Sequence, residues 1–336
     1  MRKFLIATWI IVIISSCHKK EDQQLIKNQL SMSQPDPIPP GNYWELRQTA
    51  PATLSDRSGM ANFVVNGKAY MCCGYDHNGS VKKDLWEYDP VTNTFTQKAS
   101  MPAAASARIY PAAFAINGKG YVGTGGPTVQ KDLWEYDPTT NSWTQKADMP
   151  GLGRWRAIGF AVGGKGFIGT GTSSYGDLND FWEYDPIINS WIQKTPIPSP
   201  ARTEAFVFVV NSKAYVGGGY SPTNKTVYEF QPNAGIDGVW TQKANYPGQG
   251  SLGVATFATT SAGYVGTGAT INGGFTFYKD FWRYAPTSNT WTNTPDFPGY
   301  IRAWAMGFSL NGLGYIGLGR DENERSNTGK IYRYYP

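Results

Sequence analysis

Five arginines recur at one offset along this chain. Counting back ten residues from a hairpin glycine or its equivalent reaches Arg57, Arg108, Arg154, Arg202 and Arg302, with Ser251 at the sixth place. A guanidinium is a planar fork of donors shaped for carboxylates, so five around one opening would grip an acidic ligand. The competing reading is scaffold: an arginine repeated in five of six units satisfies carbonyls and packs against its neighbour. Two residues further on stand Gly59, Tyr110, Arg156, Glu204, Gly253 and Trp304, which differ from unit to unit. A variable position on a repeated frame is where one asymmetric ligand is told apart. Trp155 and Trp304 each neighbour an arginine of these two sets, and aromatics beside hydrogen-bonding groups suit a sugar ring or an extended peptide. The alternative is that they only cover a channel mouth. Glu204, beside Arg202 and near Arg156, is the one candidate general base, and pairing with arginine is expected to lower its pKa.

Other chemistry is excluded by residue type. The chain has two histidines, His18 and His77, too few for histidine-rich zinc sites and wrongly placed for a His-based triad. No glycine-rich loop precedes a helix, so nucleotide binding has no support. Asp321-Glu322-Asn323-Glu324 carries oxygen ligands but no calcium-loop spacing, and reads as a solvated acidic loop. No metal and no cofactor are expected. The net charge of +5 falls by two if Arg2 and Lys3 are removed, too mild to argue for nucleic acid.

These residues hang on a repeated unit. Asp84-Leu85-Trp86-Glu87-Tyr88-Asp89-Pro90 returns at Asp132 to Pro138 and, with Phe181 for leucine, at Asp180 to Pro186, a period of 48 residues, with looser copies at Tyr228, Trp282 and Tyr332. Each copy reads as four short strands. In the second, Ala112 to Ile116 runs into the hairpin dipeptide Asn117-Gly118, Gly120 to Gly123 follows, Leu133 to Tyr136 alternates as a half-buried strand, and Ser142 to Lys146 closes the unit. The expected fold is all-β, a six-bladed propeller of four-stranded antiparallel blades. The sixth unit stops at Tyr335-Pro336 before its fourth strand, while Trp44 to Pro51 resembles Trp143 to Pro150. The N-terminal strand should therefore complete the last blade and remove two open sheet edges. Nine of the twelve tryptophans fall on repeat positions and are expected to pack between blades. Cys72 and Cys73 are expected to be small buried fillers, since neighbours in sequence rarely bridge without strain.

A tyrosine followed seven residues later by a tryptophan, at Tyr136/Trp143, Tyr184/Trp191 and Tyr284/Trp291, with Phe95 as the aromatic after Tyr88, resembles the kelch family of β-propellers. The likeness covers about residues 42 to 336. One departure is Gly-Thr-Gly, as at Gly123 to Gly125, where the family has Gly-Gly. In peptide-binding kelch domains, arginines at the start of the innermost strand line the pocket, which implies that role for the five here. Galactose oxidase shares the architecture, but its copper ligands include histidines this chain lacks. Kelch-type sialic acid epimerases are similar in architecture, and that resemblance implies Glu204 as base with arginines on the sugar carboxylate.

Met1-Arg2-Lys3 and the apolar run Phe4 to Ile14 have the form of a signal peptide over residues 1–16, and Ile14-Ser15-Ser16-Cys17 resembles a bacterial lipobox with Cys17 acylated. Residues 17–41 are polar and proline-rich and read as a tether. The expectation is an exported monomer, lipid-anchored to a membrane of the bacterial cell envelope. Its short, uniform turns are structural, and its variable loops bind a protein segment or a glycan.

Overall fold

Asn117-Gly118 takes left-handed backbone at both positions, which matches the twist of the strands it joins. Around it the second blade forms as Ala112–Ile116, Lys119–Gly123, Leu133–Asp137 and Ser142–Lys146, each antiparallel to the next. The expected strands stand, with the second beginning one residue earlier. The structure, a computed structural model, describes residues 41–198, 200–220, 224–321 and 329–336. Six such four-stranded sheets follow in order, and their innermost strands neighbour one another in a closed circle. This is the expected six-bladed propeller. Asn42 to Pro336 form one compact unit; the signal segment, Cys17 and the tether lie outside the described residues.

Blade 6 is built from both ends of the chain. Met306–Leu310, Leu313–Gly317 and Lys330–Tyr335 are joined on the outside by Tyr43–Thr49. Trp44 pairs in register with Tyr334, and Tyr43 stacks on Tyr335 with ring centroids 4.5 Å apart. Between blades, the fourth-strand tryptophans act as ties. Trp143, Trp191, Trp240, Trp291 and Trp44 each donate from the indole to a carbonyl of the preceding blade, over 2.8 to 3.0 Å. The bonds of Trp143, Trp191 and Trp291 are partly buried, and there each satisfies a polar group that burial would otherwise penalise. Tyr136 and Trp143 are cross-strand partners with centroids 5.1 Å apart, which is the physical content of the seven-residue spacing. Cys72 and Cys73 are free thiols and buried, and burial pushes the Cys72 thiol up.

One end of the channel is walled by alternate inner-strand residues such as Val64, Ala115, Ala161 and Val209, around a cavity of about 540 Å³. The loops between second and third strands, and those between blades, gather at the other end. They include two-stranded ribbons at Thr172–Ser173 with Gly176–Asp177 and at Ala269–Ile271 with Phe275–Phe277.

Candidate functional site

The five repeated arginines do not ring the opening. Arg108 is 0 % exposed, and its Nη1 and Nη2 donate to the two carboxylate oxygens of Asp132 at 2.8 and 2.7 Å, with Nη1 also donating to the Thr124 carbonyl at 3.0 Å. Arg154 repeats this with Asp180 at 2.5 and 2.7 Å and the Thr170 carbonyl at 3.1 Å. Arg57 pairs with Asp84. The indoles of Trp86, Trp134 and Trp182 donate to the same carboxylates. Arg302 donates to the carbonyls of Tyr300 and Leu318, and burial pushes it down to about 10. Arg202 points at the Gly218 carbonyl and at Thr226. The expectation of a ligand-gripping ring is thus corrected for Arg57, Arg108, Arg154, Arg202 and Arg302. Each is buried within its own blade, and Arg57, Arg108, Arg154 and Arg202 there tie the inner strands to the residue just before the third strand.

The residues two places on do meet at the axis. Gly59, Tyr110, Arg156, Glu204, Gly253 and Trp304 line a mouth of about 180 Å³. All six have left-handed backbone, with φ of 64°, 50°, 57°, 55°, 60° and 54° in that order. Backbone hydrogen bonds link them from blade to blade: Tyr110 to Gly59 at 2.7 Å, Arg156 to Tyr110 at 3.0 Å, Glu204 to Arg156 at 3.1 Å and Trp304 to Gly253 at 2.7 Å. The two glycines make room for larger neighbours. A Cβ on Gly253 would lie 2.8 Å from the Trp304 indole nitrogen, and one on Gly59 would lie 3.1 Å from the Tyr110 ring. Over Gly253 the indole of Trp304 reaches Glu204 and donates to its Oε2 at 3.0 Å.

Glu204 is therefore held from two sides. Its Oε1 lies 2.6 Å from Arg156 Nη1, an ion pair outside hydrogen-bonding geometry, so Oε1 receives no directed hydrogen bond. The carboxylate side chain is 3 % exposed, against 29 % for Arg156. Its partner is Arg156, not the sequence neighbour Arg202. The expected lowering of its pKa is also corrected: burial raises the carboxyl, and the Arg156 charge and the Trp304 bond oppose this without reversing it. A carboxyl bound more tightly by its proton in the folded state supplies its full stabilisation below its unfolded value, near 4.5, and loses it as pH rises through the folded value. The Tm of wild type minus that of Glu204→Gln should accordingly fall as pH is raised above 4.5 and then level off. A difference that grew over the same range would show that Arg156 dominates.

Aromatic rings surround the exposed guanidinium. Arg156 Cζ lies 4.8 Å from the Tyr110 ring centre and 4.4 Å from that of Trp155, close enough for cation–π attraction. Trp155 thus stands beside Arg156 without lining the mouth itself. The Tyr110 hydroxyl lies 3.1 Å from that of Tyr75, and burial pushes the Tyr110 phenol far up. Phe275 and Phe277 pack edge-on against Trp304 at 5.3 and 6.2 Å. Tyr175, Tyr220 and Tyr300 project from loops of this face and are exposed. The sequence reading missed these three and Tyr75, whose only signal is an aromatic in a loop of variable length. The acidic loop from Asp321 lies mostly outside the described residues, and no cluster of metal-ligating side chains occurs among those described.

The Kelch motif family model matches residues 56–102, from Arg57 through the fourth strand of blade 1, and the paired arginine, aspartate and tryptophan of that stretch recur in blades 2 and 3. The chain carries a Kelch motif in blade 1 and folds as a six-bladed β-propeller. Among solved structures this propeller is similar to YjhT, with a TM-score of 0.68 and 16% sequence identity over 82% of this chain and 93% of that one. A likeness at that identity is one of fold. No curated protein matches the chain in sequence.

Proposed function

We propose that this propeller is a non-catalytic binding module whose axial mouth takes the terminal group of a glycan or of a protein segment. The observation that carries this reading is the strain in the ring. Left-handed backbone costs a non-glycine residue about 1–2 kcal/mol, and glycine already fills two of the six positions without that cost. Tyr110, Arg156, Glu204 and Trp304 hold the other four against the same penalty, and they differ from one another. By contrast, the strained Cys73, Thr124, Thr170, Thr267 and Leu318, which share one repeat position, are all fully buried and belong to the frame. A mouth of about 180 Å³ is smaller than the pockets that enclose whole drug-sized ligands, so it takes one ring or one side chain while the rest lies over the exposed aromatics. Arg156 supplies the charged donors, and its Nε has no partner within the protein. Through Cys17 the module is tethered to a membrane of the bacterial cell envelope, with no nucleic acid partner.

On a glycan and peptide array, Arg156→Ala should weaken the strongest wild-type signal at least tenfold, since hydrogen bonds from a charged group contribute about 1.5–3 kcal/mol. Trp304→Ala should weaken it comparably. Binding that survives both substitutions would move the site off the mouth.

A second reading rests on the Glu204 carboxyl, which burial raises toward the range a general base needs. In that reading the chain is a sialic acid epimerase or mutarotase. Accelerated interconversion of N-acetylneuraminate anomers, followed by NMR and lost in Glu204→Gln, would replace the binding module with an enzyme. The closed contacts of Glu204 to Arg156 and Trp304 favour the binder.

A further inference from the structure

Blade 3 lays apolar side chains along an edge that the other blades keep polar. Its outer strand, Ser190–Lys194, ends the sheet, and among the described residues no strand pairs with its outer side. The middle residue of that strand is Thr96, Thr144, Thr241 and Thr292 in blades 1, 2, 4 and 5, but Ile192 in blade 3. The turn before the strand changes likewise: Thr139-Thr140 in blade 2 and Thr287-Ser288 in blade 5 give way to Ile187-Ile188. In blades 1, 2 and 5 a hydroxyl of this turn pairs with one on the outer strand at 2.7 to 2.8 Å, a bond that Ile188 cannot make. Ile187, Ile188 and Ile192 are 84 %, 69 % and 53 % exposed. The edge has also lost its cation. Lys98, Lys146 and Lys243 close the outer strands of blades 1, 2 and 4 with side chains 22 %, 19 % and 20 % exposed, whereas Lys194 is 5 % exposed and drawn in to Glu183 at 3.2 Å. An exposed lysine is one device by which an edge strand turns a second chain away, and blade 3 lacks it.

We propose that two copies of this chain dimerise by antiparallel pairing of their blade 3 outer strands about a two-fold axis at Ile192, in place of the monomer expected from the sequence. The two four-stranded blades then form one eight-stranded sheet. In that register Ile192 faces its own copy, Trp191 faces Gln193 and Ser190 faces Lys194, so no like charges meet. The nearby charges are neutralised inside each copy, Lys194 by Glu183 and Asp185 by Lys165. What remains is a neutral, self-complementary edge. A lipid surface suits it less, because a membrane-bound patch draws on basic neighbours and open peptide groups find no partner in hydrocarbon. Five strand residues and three isoleucines from each copy make a contact below the standard interface of about 1,600 Å², so the dimer is expected at micromolar concentration. It does not depend on what the mouth binds.

The test is sedimentation velocity of residues 17–336 carrying Cys17→Ala, which leaves out the acyl group, at concentrations from about 1 to 200 μM. With its isoleucines intact the chain should pass from monomer to dimer over that range. Ile187→Thr, Ile188→Thr and Ile192→Thr together restore the residue types of blade 2, so this variant should keep its Tm and dimerise at least tenfold more weakly. Ile192→Cys should cross-link to its own copy on mild oxidation, and Thr241→Cys, at the same place in blade 4, should not. A chain monomeric at every concentration, a dimer undiminished by the three threonines, or no cross-link from Ile192→Cys would each overturn the pairing. Monomers that instead float with phosphatidylglycerol vesicles, and cease to do so in the threonine variant, would assign the patch to a membrane and overturn it too. If the threonine variant does not fold, the Ile192→Cys cross-link decides alone.

Discussion

Arg108→Ala should lower stability by about 3 kcal/mol or more, because it leaves the Asp132 carboxylate facing a buried void in place of a bidentate partner. For a domain of this size that corresponds to a fall in Tm of about 6 °C or more, measured by circular dichroism. The Thr124 carbonyl loses its Arg108 donor at the same time. Removing the aspartate as well should restore part of the loss, since Arg108→Ala with Asp132→Ala no longer strands a charge. Array binding by either variant should match wild type where the protein remains folded. Binding lost at unchanged Tm would instead return Arg108 to the ligand site. Arg156→Ala should show the reverse pattern: its guanidinium is partly exposed, so its removal costs less stability than that of the fully buried Arg108 while binding falls.

That contrast marks how far the sequence carries. The period of 48 residues and the Asn-Gly hairpins placed nearly every strand of blade 2, because turn chemistry and alternation are local. The ten-residue offset located the start of each inner strand but not the side to which its arginine turns. A signal for the true role was present in the repeated phrase: Asp84, Asp132 and Asp180 open it in the three blades where the arginine is paired bidentately or at short range. The mouth was legible as a list of six positions. Its asymmetry was not, because Trp304 reaches Glu204 only over the bare Gly253, a contact between residues 100 apart in sequence. The sign of the Glu204 shift follows from the same crowding. Sequence shows the arginine that lowers a carboxyl pKa, but not the burial that raises it further.

Deleting residues 42–50 should abolish the cooperative fold. Tyr43–Thr49 is the outer strand of blade 6, and without it Lys330–Tyr335 becomes an open edge while blade 5 loses its seal. Trp44 alone contacts Phe281, Phe297 and Tyr334 at ring separations of 5.2, 5.4 and 4.8 Å and donates to the Pro295 carbonyl, spanning blades 5 and 6. Truncating a tryptophan so placed costs about 3–5 kcal/mol, a large part of the 5–15 kcal/mol available to a folded domain. Losing the ladder of backbone bonds and the Arg333–Glu45 ion pair as well should exceed what remains. The deletion variant should aggregate or melt without a sharp transition, and Trp44→Ala should fold with a Tm lower by about 6 °C or more. A synthetic peptide of residues 41–50 added in trans should restore the transition by strand addition, since the lost element makes its backbone bonds to one neighbouring strand. An unchanged melting curve in the deletion variant would mean that the ring is held by its inner strands, and the joining of the chain ends would then be incidental to the position of every residue at the mouth.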